Sequence, residues 1–435
     1  MRFDPLSGVP NKREVLAWGL YDLANQSFTL LIITVLFPIY FKEIVAKSNG
    51  DALWAYAVSG SLAIVVLSSP FVGALADQFG LKKRILLVTG ILCSVLTVLL
   101  VILGPGDVAL ALALFVVANI CYQLGENTLA GFLPEISTPR NIGRVSAIGW
   151  TMGYVGALAL LLIVMASVLA FDLKDEATWP PFFVLAGVWF ALGMVVPMIV
   201  LRETKPDVRP RIDPAAVVAR LADTVRQAGH YRQLACFLVS FFVYGLGVWT
   251  IIAFAGIIAR DFGLEGAYLI IYTLQITVTA GISAVLTGIY QDRIGARNTV
   301  MIFLGVWIIT SIGLLLLTLI PQTARLDTQW AFWIVGNGVG LGLGGIGASS
   351  RSMVGRCTPR HKTAEFFGLW GMTYKSAGVV GVLAFGSVKQ YLGDTASMIV
   401  LTSFFVVGLL LLTRVRETQG VRAARRAERN EASRN

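Results

Sequence analysis

Charge is scarce in this sequence. Of its 435 residues only 14% are Asp, Glu, Lys or Arg, against roughly a quarter in soluble globular domains. That shortage excludes a soluble enzyme of ordinary composition. Histidine occurs twice, as His230 and His361, both in basic stretches between apolar segments, so a histidine-ligated metal has no support and no metal or other cofactor is expected. Cysteine occurs four times (Cys93, Cys121, Cys236 and Cys357), in or at the ends of apolar runs and without a CxxC pair. Neither a disulfide framework nor a metal site follows from that spacing. Long polar segments are also few, the longest running from Glu203 to Arg232. The short loops leave no room for a folded extramembrane domain, which weighs against a non-transporting receptor or scaffold. They hold no nucleophile beside a histidine, which weighs against a membrane enzyme. Residues 1–13 carry Arg2, Lys12 and Arg13, but the apolar run behind them is too long for the core of a signal peptide.

Apolar residues are what the chain has in abundance, at 56%, and they define a polytopic membrane protein. Apolar runs recur at about 14–41, 52–76, 83–104, 108–133, 144–170 and 181–202, and again at 232–259, 266–291, 297–320, 328–356, 362–392 and 394–416. Each suits a bilayer span, which needs ~20 residues. The expectation is an all-α membrane protein with twelve transmembrane helices in two pseudo-symmetric six-helix bundles. The bundles take residues 1–203 and 232–417, joined by a linker at 204–231 and followed by a basic tail at 418–435. In the linker, Val217, Leu221 and Val225 alternate with Arg220, Asp223 and Arg226, the pattern of an amphipathic helix on the membrane surface.

Basic residues set the orientation. With both termini in the cytoplasm, only Lys42, Lys47, Lys174, Arg260, Arg325 and Lys389 face the other side, Lys375 lies within a span, and the other 28 of 35 are cytoplasmic. That is the positive-inside distribution. It also absorbs the net charge of +10 into short loops and the tail, so no nucleic-acid partner is expected.

The halves repeat one another. Thr138-Pro139-Arg140, Trp150, Met152 and Tyr154 recur as Thr358-Pro359-Arg360, Trp370, Met372 and Tyr374 at an offset of 220. Gly73, Asp77 and Gly80 recur as Gly288, Asp292 and Gly295 at 215, and Arg202-Glu203-Thr204 recurs as Arg416-Glu417-Thr418 at 214. Collinear matches at nearly one offset mean a duplicated six-helix unit. Since six is even, the copies run the same way through the membrane.

The loop from Gly73 through Asp77 and Gly80 to Lys82, Lys83 and Arg84, echoed by Gly288, Asp292, Gly295 and Arg297, resembles the signature loop of the major facilitator superfamily. The resemblance implies the major facilitator fold, with Asp77 and Asp292 in a cytoplasmic latch that Gly73, Gly80, Lys82, Lys83, Gly295, Arg297 and Arg351 complete. A plain topology determinant is the other reading of the loop. Three further stretches narrow the likeness: Tyr21-Asp22-Leu-Ala-Asn25-Gln-Ser27-Phe28; Gly344 to Ser352 with Arg351; and Ala364 to Gly368 with Lys375 beyond. Together they resemble the vacuole effluxer-like branch, the Unknown Major Facilitator family, whose eukaryotic members are associated with exporting amino acids from the vacuole. Val382 follows Gly381 where that branch leads one to expect proline.

Ionisable residues inside spans are few and therefore informative. On span one, Tyr21, Asp22 and Asn25 have the spacing of one helix surface. They are either interhelical glue or a polar site for a solute or proton. Glu126 and Asn127 occupy span four, Arg351 span ten and Lys375 span eleven. Snorkelling to the interface is the plainer reading for Arg351. A carboxylate at Asp22 or Glu126 facing Lys375 across a central cavity would suit a zwitterion, or a proton that breaks the pair. Trp150, Tyr154, Trp370 and Tyr374 suit cavity walls and aromatic core packing equally. Gly342-Leu-Gly344-Gly345-Ile-Gly347 fits a dinucleotide pattern, but it lies in an apolar span with no strand before it, where close helix contact explains it better. Glycines 149–156 precede no proline, unlike the signature of drug and proton antiporters.

The expected function is secondary active transport of a small polar solute, an amino acid or related metabolite being favoured, with protons as candidate co-ions. The expected setting is a bacterial cytoplasmic membrane, with lipids around a monomer. An efflux carrier for drugs or another amphiphilic metabolite is the alternative.

Overall fold

A computed structural model describes residues 11–137, 142–173, 175–203, 229–320, 329–359 and 363–432, with some positions between 219 and 227. All the regular structure among them is helical. That is what lipid demands, because a helix satisfies its backbone groups within the segment. Among the described residues, eleven helices are long and apolar enough to cross a membrane. The longest runs 49 residues, Glu365–Thr413, or about 74 Å at 1.5 Å per residue, more than twice a ~30 Å hydrocarbon layer. It breaks at Gly393, where φ is 85°, and so makes two spans, giving the twelve expected from the sequence. Lys389 secures the break. Its ammonium pairs with Asp394 just past the glycine and, at 2.7 Å, with Asp261.

The first span begins as α1, Lys12–Ser27, passes through a π-helical turn at Phe28–Thr34, resumes as α2, Leu36–Tyr40, and ends in a second π-helical turn at Phe41–Ala46. The sequence pattern suggests one uninterrupted helix here, and Pro38 explains the difference. It has no N–H for the Thr34 carbonyl and its ring crowds that oxygen. The chain breaks at Val35, with φ −121° and ψ −73°. The Val35 N–H bonds the Leu30 carbonyl at 2.9 Å, and the Thr34 hydroxyl bonds that of Thr29 at 2.8 Å.

Then come α3 (Gly50–Phe79), α4 (Lys82–Leu99), α5 (Val108–Ala130), α6 (Leu133–Ile136), α7 (Ile142–Phe171), α8 (Pro180–Gly193) and α9 (Val195–Val200). The second half contributes α10 (Arg232–Asp261), α11 (Gly266–Ile294), α12 (Ala296–Thr318), α13 (Gln329–Cys357), α14 (Thr363–Thr413) and α15 (Glu417–Ala432). Most of 204–231, including Val217 and Leu221 of the expected linker helix, lies outside the described residues.

Two compact units result. The first takes the elements up to α9 together with Ala253–Arg260 and Leu264–Ile271, and the second takes the remainder of α10 to α15. The first is built on an aromatic core. Trp54 lies 4.5 Å from Phe115, and Phe37 lies 5.9 Å from Phe115 and 5.5 Å from Phe183, ring centre to ring centre. The indole of Trp54 donates to the Ala253 carbonyl at 2.8 Å, tying this part of α10 to the first unit. In the second unit Trp307 stacks on Phe405 at 4.8 Å. Such pairs contribute about 0.5–1.5 kcal/mol beyond the area they cover. Leu67, Ile199 and Ile309 are each more than 70% exposed, as a lipid-facing surface requires.

Candidate functional site

Three polar contacts join α1 and the turn after it to α5. The Trp18 indole donates to the Leu129 carbonyl at 2.9 Å, the Asn25 amide donates to the Glu126 carboxylate, and the Thr29 and Tyr122 hydroxyls meet at 2.7 Å. Positions 18, 25 and 29 form one stripe at helical spacing, and 129, 126 and 122 form another. Their partners descend as they ascend, so the helices run antiparallel. Asn25 is completely buried. Next to the ladder, Tyr21 is 1% exposed and sets its ring edge-on to Phe190 at 5.4 Å. A methyl group at Gly90 or Gly125 would come within 3.2 Å of its hydroxyl, so these two glycines make its room.

Asp22 also reaches α7. A Cβ on Gly149 would stand 2.6 Å from its carboxylate and against the Trp18 ring, which places Asp22 beside α7. Gln26 lies beside Gly153 one turn further along. Successive helical positions lie about 100° apart, so Asp22 is only about 60° round the helix from Asn25 and sits at the α7 edge of the surface that Tyr21, Asp22 and Asn25 share. Glycines 149 and 153 let α7 approach closely, the small-residue packing of membrane helices.

The cluster is also offset along the span. Glu126 lies four residues before the end of α5, roughly 6 Å along the axis, and Asp22 roughly 15 Å from the start of α1. A carboxylate at membrane depth costs about 2.5–3.5 kcal/mol, and an interhelical hydrogen bond there returns about 0.6–2 kcal/mol. The Asn25 bond contributes to holding this half-buried carboxylate at that depth. Asn127, its neighbour, is a simpler case and donates to Ser69 at 2.7 Å.

The second unit gathers aromatics. Tyr374 lies 5.7 Å from Phe241 and 5.2 Å from Trp249, and Trp370 stacks on Phe241 at 5.4 Å. The Arg351 guanidinium sits 5.9 Å from the centre of the Trp370 ring, within cation–π range. Lys375 follows Tyr374 on α14, half-buried. The equivalent aromatics of α7 differ: Trp150 is 52% exposed, with Tyr154 at 6.3 Å. Asp22 and Glu126 thus belong to one unit and Lys375 to the other. Phe241, Trp249, Gln26, Thr29 and Tyr122 escaped the sequence reading because none stands out of an apolar run by charge.

At the loop end of each unit a glutamate caps a helix. Glu203 accepts from the backbone N–H groups of Lys82, at the start of α4, and Lys83. Glu417 accepts from the Arg297 N–H at the start of α12, at 2.9 Å, and from the Arg356 side chain at 2.6 Å. A carboxylate at a helix N-terminus meets both its free amides and its dipole. The repeated Arg-Glu-Thr was the available signal. Lys82 pairs with Glu135 at 2.7 Å, and Lys83 donates to the Leu201 carbonyl at 2.9 Å. Gly80 and Gly295 take positive φ, 60° and 91°, ending α3 and opening α12. Gly73 is exposed on α3. The side chains of the expected latch residues Asp77 and Asp292 lie outside the described residues.

Twelve apolar spans, helix ends capped alike in both halves and buried polar groups on a broken first span define a transporter of the major facilitator type. The chain belongs to the family described as vacuole effluxer Atg22 like, which matches residues 47–425. It is 26% identical over 418 residues, 92% of its length, to a Bacillus subtilis protein described as an uncharacterized MFS-type transporter, YxiO, of which 94% is covered. Autophagy-related protein 22 of Eremothecium gossypii is 22% identical, over 87% of this chain and 85% of that one. Among solved structures, a point mutant of the nucleoside transporter NupG has a TM-score of 0.69 at 13% identity, over 93% of this chain and 100% of that one. The D-xylose-proton symporter has 0.67 at 14%, over 94% and 98%. These two show the shared fold.

Proposed function

We propose that this transporter moves a small polar solute, an amino acid or a related metabolite, by alternating access and in exchange with the proton state of the Glu126 region. The observation that carries the reading is the Asn25–Glu126 hydrogen bond, a carboxylate held by a fully buried amide on the span that Pro38 breaks. Asp22 and Tyr21 extend the same polar region. Broken spans and buried ionisable groups mark substrate and ion pathways in carriers. In this reading the carboxylates of the first unit serve a proton or an ammonium group, and in the second unit Arg351, over the Trp370 ring, and Lys375, next to Tyr374 in sequence, serve a carboxylate. A solved relative in fold is named a proton symporter, which makes proton coupling the first coupling to test. Both termini lie in the cytoplasm of a bacterial cell, Asp77 and Asp292 act in the latch at that face, and the working unit is a monomer.

The test is flux in proteoliposomes. Purified protein is reconstituted, a pH gradient is imposed, and a panel of labelled amino acids, nucleosides and sugars is offered. Accumulation of an amino acid that collapses with a protonophore and is lost in Glu126→Gln supports the proposal. Gradient-independent flux that survives this substitution overturns the coupling, and flux of nucleosides or sugars alone overturns the solute class.

A further inference from the structure

A second polar feature lies far from the Asn25–Glu126 ladder, at the loop end of the second unit. Here α12 begins and α14 gives way to α15, leaving a cavity of about 600 Å³ whose lining includes Arg293, Arg297, Arg356, Arg416, Asn298 and Glu417. Four guanidinium groups thus stand around one carboxylate. Both oxygens of that carboxylate are already engaged, one by Arg356 at 2.6 Å and the other by the backbone N–H of Arg297 at 2.9 Å. Among the described residues the cavity therefore keeps a positive excess.

Arg297 is held ready for an anion. Its guanidinium donates to the Thr413 carbonyl at 3.1 Å and to the Asn298 side chain at 3.4 Å, both neutral acceptors. Its Nε is buried and has no hydrogen-bond partner among the described residues. A planar fork fixed by neutral groups is the donor geometry that suits the oxygens of a phosphate. The volume would hold roughly twenty waters at about 30 Å³ each, enough for a glycerophosphate headgroup.

The other half of the duplication supplies the contrast. At the corresponding end of the first unit, Glu203 caps α4 as Glu417 caps α12, but Lys82 there has its own acid in Glu135 at 2.7 Å. In the second unit the helix that answers to Glu135 brings Arg356 instead. One copy gives Lys82 an acid of its own, and the other brings a further cation, Arg356, to its capping glutamate.

The surroundings point to lipid as the source. The cavity opens where apolar spans end, and α15 leaves it with Arg422, Arg425, Arg426 and Arg429 exposed while Ala424 and Gly420 are buried. A basic helix along a membrane surface is drawn to anionic headgroups. We propose that the cavity binds the phosphate of an anionic membrane lipid, with Arg297 and Arg416 as principal donors and α15 laid along the same leaflet.

The experiment compares wild type with the double variant Arg297→Gln/Arg416→Gln, and with Arg422→Gln/Arg425→Gln, which leaves the cavity intact. Each is purified in detergent, checked for a monodisperse elution profile, and titrated by native mass spectrometry and thermal shift with phosphatidylglycerol, phosphatidylcholine and inorganic phosphate. Wild type is expected to retain phosphatidylglycerol over phosphatidylcholine by about tenfold, equivalent to 1.4 kcal/mol. The cavity variant should lose that preference, and the α15 variant should keep a bound phosphatidylglycerol through native spectra. Equal retention by wild type and cavity variant overturns the site. A saturable shift with inorganic phosphate and no preference between the two lipids overturns the lipid assignment.

Discussion

Thr279 on α11 donates to Asn337 on α13 at 3.1 Å across a sequence separation of 58, and Asn119 on α5 donates to Ser61 on α3 at 2.7 Å across the same separation. Ser61 and Thr279 are 218 apart, as are Asn119 and Asn337, so the two pairs occupy matching places in the duplicated halves. A constant separation repeated along a pair of helices means that they run in the same direction. Asn127 to Ser69, Gln275 to the Trp333 carbonyl and Ser283 to the Leu341 carbonyl keep it too. In lipid, where packing and hydrogen bonds must replace the hydrophobic effect between helices, these pairs fix the register of the second and fourth helices of each half.

Removing either asparagine should loosen the fold without touching transport chemistry. Asn119→Ala and Asn337→Ala are each expected to destabilise by about 0.6–1.7 kcal/mol, the range for interhelical hydrogen bonds in a bilayer. Unfolding in mixed micelles measures it. A double-mutant cycle of Ser61→Ala with Asn119→Ala should give a coupling energy of the same size. Additive losses would mean that the pair is in contact without mutual stabilisation.

Much of this was legible in the sequence because duplication writes itself twice. The twelve spans followed from apolar run lengths, and the offset of about 215–220 announced the repeat. What stayed hidden obeyed a different logic. The break at Val35 arises from Pro38 acting four residues back on the Thr34 carbonyl, whereas hydropathy records only an unbroken apolar run. Asp22 and Asn25 are three apart, which suggests one face, yet α7 and α5 each claim a different edge of it. The roles of Glu203 and Glu417 depend on amides some 120 residues away in sequence, a relation that a local pattern cannot carry. Tyr122, Phe241 and Trp249 are ordinary members of apolar stretches, and only the fold brings them to polar or cationic neighbours.

Glu126→Gln and Asn25→Ala should separate the proton function from packing. The glutamine can still accept from Asn25 but cannot carry a charge, so wild-type stability is expected with loss of pH-gradient-driven uptake. Asn25→Ala removes the donor and leaves the half-buried carboxylate with less support, so a stability loss of about 1–3 kcal/mol is expected. Counterflow of solute at equal pH on both sides is the discriminating readout. It should persist in Glu126→Gln, and its loss there would assign Glu126 to solute binding in place of proton coupling.

Two glycines of similar sequence setting should respond in opposite ways. Gly149 packs α7 against Trp18 and Asp22, so even an alanine methyl must displace an indole ring or a carboxylate. Gly149→Ala is expected to cost about 1–3 kcal/mol, as overpacking does. Gly73 lies in the body of α3 with nothing within 4 Å of an added Cβ. Gly73→Ala is expected to stabilise by about 0.5–1 kcal/mol through helix propensity. Thermal unfolding of both variants in one detergent settles the contrast, and equal shifts of the same sign would argue against close packing at Gly149.

The paired caps give the last test, and it distinguishes a local role from a shared one. Glu203→Gln and Glu417→Gln keep an acceptor for the backbone amides of α4 and α12 and lose only the charge, whereas alanine removes both. Losing a capping acceptor costs about 0.5–2 kcal/mol, and the charge–dipole part accounts for about 0.3–1 kcal/mol at a helix end. Glu417→Ala should be the more damaging of the two alanine variants. It leaves Arg356 without the carboxylate at 2.6 Å in a neighbourhood that already holds Arg297 and Arg416. Among the described residues of the first unit no side-chain ion pair to Glu203 is found, and Lys82 pairs with Glu135 instead. Adding salt should therefore reduce the difference between the two variants, since it screens the surplus guanidinium charge. Hydrogen exchange at the first turns of α4 and α12 reads the local effect directly. Equal exchange and equal stability losses in both alanine variants, insensitive to salt, would show that the caps act by backbone satisfaction alone.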